Sequence, residues 1–120
     1  MCPAEARVAV FEDISDQRRI MTRNLTALGH TVVAEASNMQ EAKDLIPQLD
    51  DLGIQVAIVD GNLGTWTKET AGRDGSEIAK GIKESNPNIT VIGWSGDLIE
   101  GADMRFGKSD YDIYDAVGKA

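Results

Sequence analysis

VAIVDGNLG, residues 56–64, decides how this chain folds. Val56 to Val59 form an unbroken apolar run, which suits a strand buried on both faces, as in a parallel sheet. The next residue is a carboxylate, Asp60, followed by Gly61. A charge has no place inside such a strand, so the strand ends there and the acid lies beyond it. In open α/β sheets that is where ligands bind.

Working outward, strands and helices alternate. ARVAVF (6–11) reads as a buried first strand. Ile14, Met21, Leu25 and Leu28 then recur at helical spacing, and Gly29 is a plausible stop. TVVAEA (31–36) is the second strand. Asn38, with Glu41 three places on, reads as a cap for a helix whose Met39, Ala42, Leu45, Ile46 and Leu49 share a face. IQVAIV (54–59) is the third strand, and a helix opens at DGSEIAKGIKES (74–85). NITVIGW (88–94) and Met104 to Gly107 are the fourth and fifth strands, and Ser109 with Asp112 frames a last helix carrying Ile113, Tyr114 and Val117 inward. Such alternation predicts a doubly wound α/β fold with a parallel sheet and right-handed crossovers. For a five-stranded order 2-1-3-4-5, the order reverses between strands 1 and 3. Asp60 ends strand 3, and Glu12 and Asp13 end strand 1, so three carboxylates are expected to meet there.

Acids this close raise one another's pKa unless a cation intervenes, and an open, all-oxygen site suits Mg²⁺. Blander roles are open to each residue alone. Glu12 and Asp13 could simply favour the N-terminus of the first helix, and Asp60 before Gly61 and Asn62 could be a turn former. Ser95, at the end of strand 4, points a hydroxyl into the same crevice, and Lys108, after strand 5, supplies a point positive charge. Together they could hold phosphoryl oxygens.

Composition narrows the function classes. At 120 residues the chain is read as one domain, 1–120. A net charge of −8 argues against nucleic acid, whose binders cluster Lys and Arg, and fits a cation-holding or acidic surface. No apolar run is long enough to span a bilayer and no signal peptide opens the sequence, so no membrane association is expected. Cys2 is the sole cysteine, so no internal disulfide forms and a reducing cytoplasm is the expected location.

VFED (10–13), VAIVDGNL (56–63), DGSEIAKGIKESNPNITVIGWSG (74–96) and GADMRFGK (101–108) carry a resemblance over nearly the whole chain. The chain resembles the receiver domain of bacterial two-component response regulators, a flavodoxin-like fold. The resemblance implies that Asp60 accepts a phosphoryl group from a histidine kinase or phosphotransfer protein. It also implies that Glu12, Asp13, Asp60 and the Asn62 backbone carbonyl hold Mg²⁺, that Ser95 grips a phosphoryl oxygen, and that Lys108 pairs with the acceptor or its phosphate. Such a domain is a switch that catalyses its own phosphorylation and dephosphorylation rather than a metabolic enzyme. Asn62 and Asp97 match the positions that flank the path of attacking water, and both are polar and short, which implies a short phosphate lifetime. The alternative is a degenerate receiver that binds protein partners without phosphorylation. A phosphatase on a similar sheet would place a second Asp where Asn62 stands. A nucleotide-binding fold would place a Gly-rich turn where EDISDQ (12–17) stands.

Three departures from the family carry expectations of their own. Thirteen residues, Gly61 to Arg73, precede the third helix, where about 2–6 are usual. Trp66, Lys68 and Arg73 make this stretch either an inert insertion or a lid or kinase-selectivity loop. Ser109 replaces the usual Pro after the lysine, and Arg105 the usual aromatic before it. Only eight residues, Gly96 to Asp103, join strands 4 and 5, fewer than the roughly 10–12 a helical crossover needs. The helix between those strands is therefore expected to be reduced or lost. The strands it would cover are expected to be roofed in part by Trp94, Leu98 or Ile99, leaving an apolar patch for a homodimer or output partner.

Overall fold

The computed structural model describes residues 5–64 and 67–120; Cys2 and Trp66 lie outside them, and with Trp66 the expectation of an aromatic lid. β1 (Arg7–Phe11), β2 (Thr31–Ala36), β3 (Val56–Val59), β4 (Thr90–Trp94) and β5 (Met104–Phe106) form one parallel sheet in the order β2-β1-β3-β4-β5, as the sequence predicts. α1 (Ser15–Ala27) and α4 (Asp112–Lys119) cover one face. α2 (Met39–Leu45), continued by a 3-10 turn at Ile46–Gln48, and α3 (Arg73–Ser85) cover the other. Among the described residues no helix is long and apolar enough to cross a membrane.

Period-two alternation sorts the core into two layers. Val8, Val10, Val56, Ile58, Ile92 and Trp94 pack against Met21, Leu25, Ile113 and Val117. Ala9, Phe11, Ala57, Val59 and Val91 pack against Ala42, Leu49, Ile78, Ala79 and Ile82. Every residue of β3 is fully buried, which explains its unbroken apolar run.

The local signals are met in part. Gly29, at φ 94°, ends α1 as expected. Its N–H donates to Thr26 O and that of His30 to Leu25 O, a Schellman pair that satisfies the last carbonyls. Ile14 and Leu28, expected inward, are 54% and 52% exposed, because they flank the helix as its caps instead of lying on its buried face. Asn38 Oδ1 accepts from Glu41 N at 2.8 Å, so that cap is formed. Ser109 does not cap the last helix. A turn closes from Asp110 N to Gly107 O at 3.1 Å, and α4 starts only at Asp112, whose N–H reaches Asp110 Oδ1 at 3.0 Å.

No helix forms between Trp94 and Met104, as the eight-residue link requires. Its cover is replaced by one side chain. Gly93 lies on the uncovered face, and a Cβ placed there would meet Ile99 Cδ1 at 3.0 Å, so Ile99 sits on bare backbone and is itself buried. Trp94 belongs to the opposite layer and does not cross the gap, and Leu98 turns outward, 68% exposed. Ala102 packs inward beside Ile99. The apolar patch foreseen for a dimer or output partner therefore shrinks to Leu98, since small residues beneath the link need little roofing. Ile99→Ala is expected to cost about 2 kcal/mol in urea unfolding, and Leu98→Ala less than about 0.5 kcal/mol. Equal costs would contradict this account of the gap.

Candidate functional site

The same alternation delivers the site. A step of two along the α1/α4 layer takes Ile92 to Trp94 at its upper edge, and a step beyond the layer takes Val10 to Glu12, Ile58 to Asp60 and Phe106 to Lys108. The backbone ladder extends into this rim: Asp60 N donates to Phe11 O at 2.9 Å, Glu12 N to Ala36 O at 3.0 Å, and Ser95 N to Phe106 O at 2.9 Å. The strand ends are thus held level with one another.

Glu12, Asp13 and Asp60 meet as expected, each offering an oxygen within 4.8 Å of the others. Glu12 is fully buried, and Asp13 and Asp60 are partly open. Lys108 reaches them without a following Pro. Its Nζ contacts Glu12 Oε1, lies 3.5 Å from Asp60 Oδ1, and rests 4.1 Å from the centroid of a Trp94 ring. Ser95 is buried, and its Oγ accepts from Asp97 N at 3.1 Å. A Cβ on Gly61 would come within 2.7 Å of that Oγ, so the hydroxyl lies against the backbone next to Asp60. A small cleft of about 170 Å³ opens over these groups, lined by Asp13, Asp60, Asn62, Gly64, Ser95 and Asp97.

Asn62 lines the cleft, yet its side chain serves the long loop. Its Nδ2 donates to Thr70 O and its Oδ1 accepts from Gly72 N, both at 2.9 Å. Asp74 Oδ2 accepts from Leu63 N at 2.9 Å. The described part of the insertion is therefore fastened to the end of β3 at two points. The Asn62 side chain, expected beside the path of attacking water, lines the cleft and is also part of the loop's frame. Arg105, exposed on β5, directs Nη1 to Gly96 O at 3.3 Å and Ser95 O at 3.5 Å, which braces the link from outside.

Electrostatically the site lacks positive charge. Burial raises the pKa of Glu12, and its contact with Asp60 raises it further, while Lys108 works in the opposite direction. Burial and then Glu12 push Asp13 up. Burial also lifts Asp60, against the lowering influence of Glu12, Lys108 and the Gly61 N–H. One ammonium does not balance three acids. An all-oxygen donor set that is short of cation fits a hard divalent ion.

Trp94 is the residue that sequence reasoning missed. Its even step from Ile92 puts it on the same side of the sheet as Phe106 and the acids.

No protein-family model and no curated protein matches the chain. Solved structures do. A response regulator receiver domain protein from Clostridium thermocellum superposes with a TM-score of 0.74 at 25% identity, covering 95% of this chain and 92% of that one. The signal receiver domain of a modulated diguanylate cyclase from Desulfovibrio desulfuricans G20 gives 0.72 at 19% identity over 95% and 90% of the two chains. A structure of the phosphorylated P1 domain of CheA3 in complex with CheY6, from R. sphaeroides, gives 0.68 at 18% identity over 96% and 98%. The chain thus has the fold of the receiver domains of two-component response regulators, with four α-helices among its described residues.

Proposed function

We propose that this receiver is phosphorylated on Asp60 by the phosphohistidine of a kinase or phosphotransfer protein, with Mg²⁺ held by Glu12, Asp13, Asp60 and the Asn62 backbone carbonyl. The observation that carries the reading is the meeting of three carboxylates with the Lys108 ammonium at Asp60, which lines a small open cleft together with Asp13 and Ser95. An Asp60 carboxylate oxygen attacks phosphorus, the P–N bond of the donor breaks, and the freed imidazole takes a proton from solvent. Bound Mg²⁺ supplies charge neutralisation for the phosphoryl oxygens. Lys108 and the Ser95 O–H bind the oxygens that remain. Ile14, exposed beside the cleft, offers an apolar foothold to the protein that brings the phosphoryl group. Such a domain is a phosphoacceptor switch and not a classical enzyme.

Incubation with Mg²⁺ and acetyl phosphate tests the reading by intact mass. The wild-type protein gains one phosphoryl group, lost again on addition of hydroxylamine. An unchanged mass would favour the degenerate, partner-binding receiver, for which Arg105 and the missing helix are the supporting features.

The metal arm has its own test, in which the sign follows from the raised pKa values. A carboxyl with a higher pKa folded than unfolded favours folding below about pH 4. That contribution is lost as pH rises through the folded value. Without divalent metal, therefore, the ionised cluster works against folding at pH 7. Asp13→Asn is expected to be more stable than wild type in EDTA at pH 7, by about 0.5 kcal/mol because solvent screens this half-open acid. The difference closes near pH 3. With Mg²⁺ the order reverses, since wild type gains from binding and the variant gains little. A variant that is never more stable in EDTA, or gains equally from Mg²⁺, would contradict the assignment.

A further inference from the structure

We propose that Trp94 is a positioning residue that holds the Lys108 ammonium between Glu12 and Asp60 through the face of its indole, an inference that rests on Asp60 being the phosphoryl acceptor.

Lys108 follows Gly107 in a turn beyond β5, on a flexible side chain with four rotatable bonds. Attraction by the acids fixes its neighbourhood but not its place among them. Nζ touches Glu12 and stands 3.5 Å from Asp60, and attraction to the two acids alone would let the ammonium shift between them. The indole supplies the missing constraint. Trp94 is 2% exposed and packs in the layer of Ile92, Ile113 and Val117, with Phe106 against it. Register pairs Trp94 with Phe106, and Lys108 lies two residues past Phe106, on the same side of the sheet. Nζ then sits 4.1 Å from the ring centroid, inside the roughly 6 Å reach of a cation–π contact, for which Trp is the best partner.

The ring is buried and packed while the lysine stem is flexible, so the ring limits where the charge rests. A three-point seat of Glu12, Asp60 and indole leaves Nζ in a defined place beside Asp60, the residue that receives the phosphoryl group. Among the described residues no other aromatic side chain is placed to do this: Phe11 belongs to the opposite layer, Phe106 packs beneath the sheet rim, and Tyr111 and Tyr114 stack on each other at α4.

The test combines a spectrum with a rate. In wild type the ε-methylene protons of Lys108, assigned by their loss in Lys108→Arg, are expected upfield of random coil from the indole ring current. They return to random coil in Trp94→Leu and stay partly shifted in Trp94→Phe. Phosphorylation by acetyl phosphate with Mg²⁺ is expected to slow about three- to tenfold in Trp94→Leu and to stay within about twofold of wild type in Trp94→Phe, both checked for folding by urea unfolding. Random-coil Lys108 shifts in wild type, a folded Trp94→Leu with the wild-type rate, or a folded Trp94→Phe as slow as Trp94→Leu would each overturn the proposal. Should Trp94→Leu not fold, Trp94→Met takes its place with the same expected results. If wild type takes no phosphoryl group at all, the acceptor reading fails, and the Lys108 shifts alone still decide whether Trp94 holds the ammonium.

Discussion

Asp60→Asn protein is expected to leave incubation with Mg²⁺ and acetyl phosphate at its unmodified mass, under conditions where wild type is phosphorylated. The substitution keeps the shape of the side chain and its acceptor oxygen for the Gly61 N–H, which Asp60 Oδ1 engages at 2.7 Å. What it removes is the nucleophile: an amide oxygen has its electron pair delocalised toward nitrogen and attacks phosphorus far more slowly than a carboxylate. Neighbouring acids do not substitute. Glu12 is fully buried with Lys108 against it, and Asp13, which shares the cleft, lacks the Lys108 contact that Asp60 has. The loss should therefore be complete within detection and not a graded slowing. Removing one of three repelling acids should also leave the metal-free protein at least as stable as wild type, so that unfolding cannot explain the result. Adduct formation of equal yield in Asp60→Asn would move the modification elsewhere and sink the acceptor assignment.

Much of this was legible because it depends on counting. A carboxylate after an unbroken apolar run marks a strand end, and three such acids on neighbouring strands mark the crevice. Eight residues are too few for a helical crossover, whatever their identity, and none formed. What was not legible depends on which of two alternatives a side chain takes. Leu98 and Ile99 are adjacent and equally apolar, and only the bare backbone at Gly93 selects Ile99 as the roof. Asn62 lines the cleft, but that its amide also bonds Thr70 O and Gly72 N of the long loop could not be read from its position. Ser109 had the composition of a cap, but the turn that carries Lys108 inward uses that residue first. Each of these is decided by a long-range partner, and periodicity has no access to that information.

Two glycines of α3 should respond to the same substitution with opposite signs. Gly75 and Gly81 both lie within Arg73–Ser85, and in a helix interior Ala is favoured over Gly by about 1 kcal/mol. At Gly81 that preference should show, because a new Cβ would meet only the movable tip of Ile46, at 3.4 Å. Gly81→Ala is therefore expected to stabilise by about 0.5–1 kcal/mol. At Gly75 the new Cβ would stand 2.4 Å from the backbone oxygen of Asp60 and 3.1 Å from Gly61 Cα. Neither is a side chain that can swing away, and the Gly75 N–H is itself bonded to Gly61 O at 2.8 Å. The helix must lift off β3 or the end of β3 must move. Overpacking against fixed backbone costs about 3 kcal/mol or more, enough to outweigh the propensity gain severalfold. The displaced atoms belong to the acceptor residue and its neighbour, so Gly75→Ala should also slow phosphorylation in conditions where it remains folded, whereas Gly81→Ala should not. Urea midpoints and acetyl phosphate rates for the two variants give both readings. A Gly75→Ala protein as stable as Gly81→Ala would mean that α3 does not press on the Asp60 peptide, and the close approach that sets the height of the acceptor would have to be abandoned.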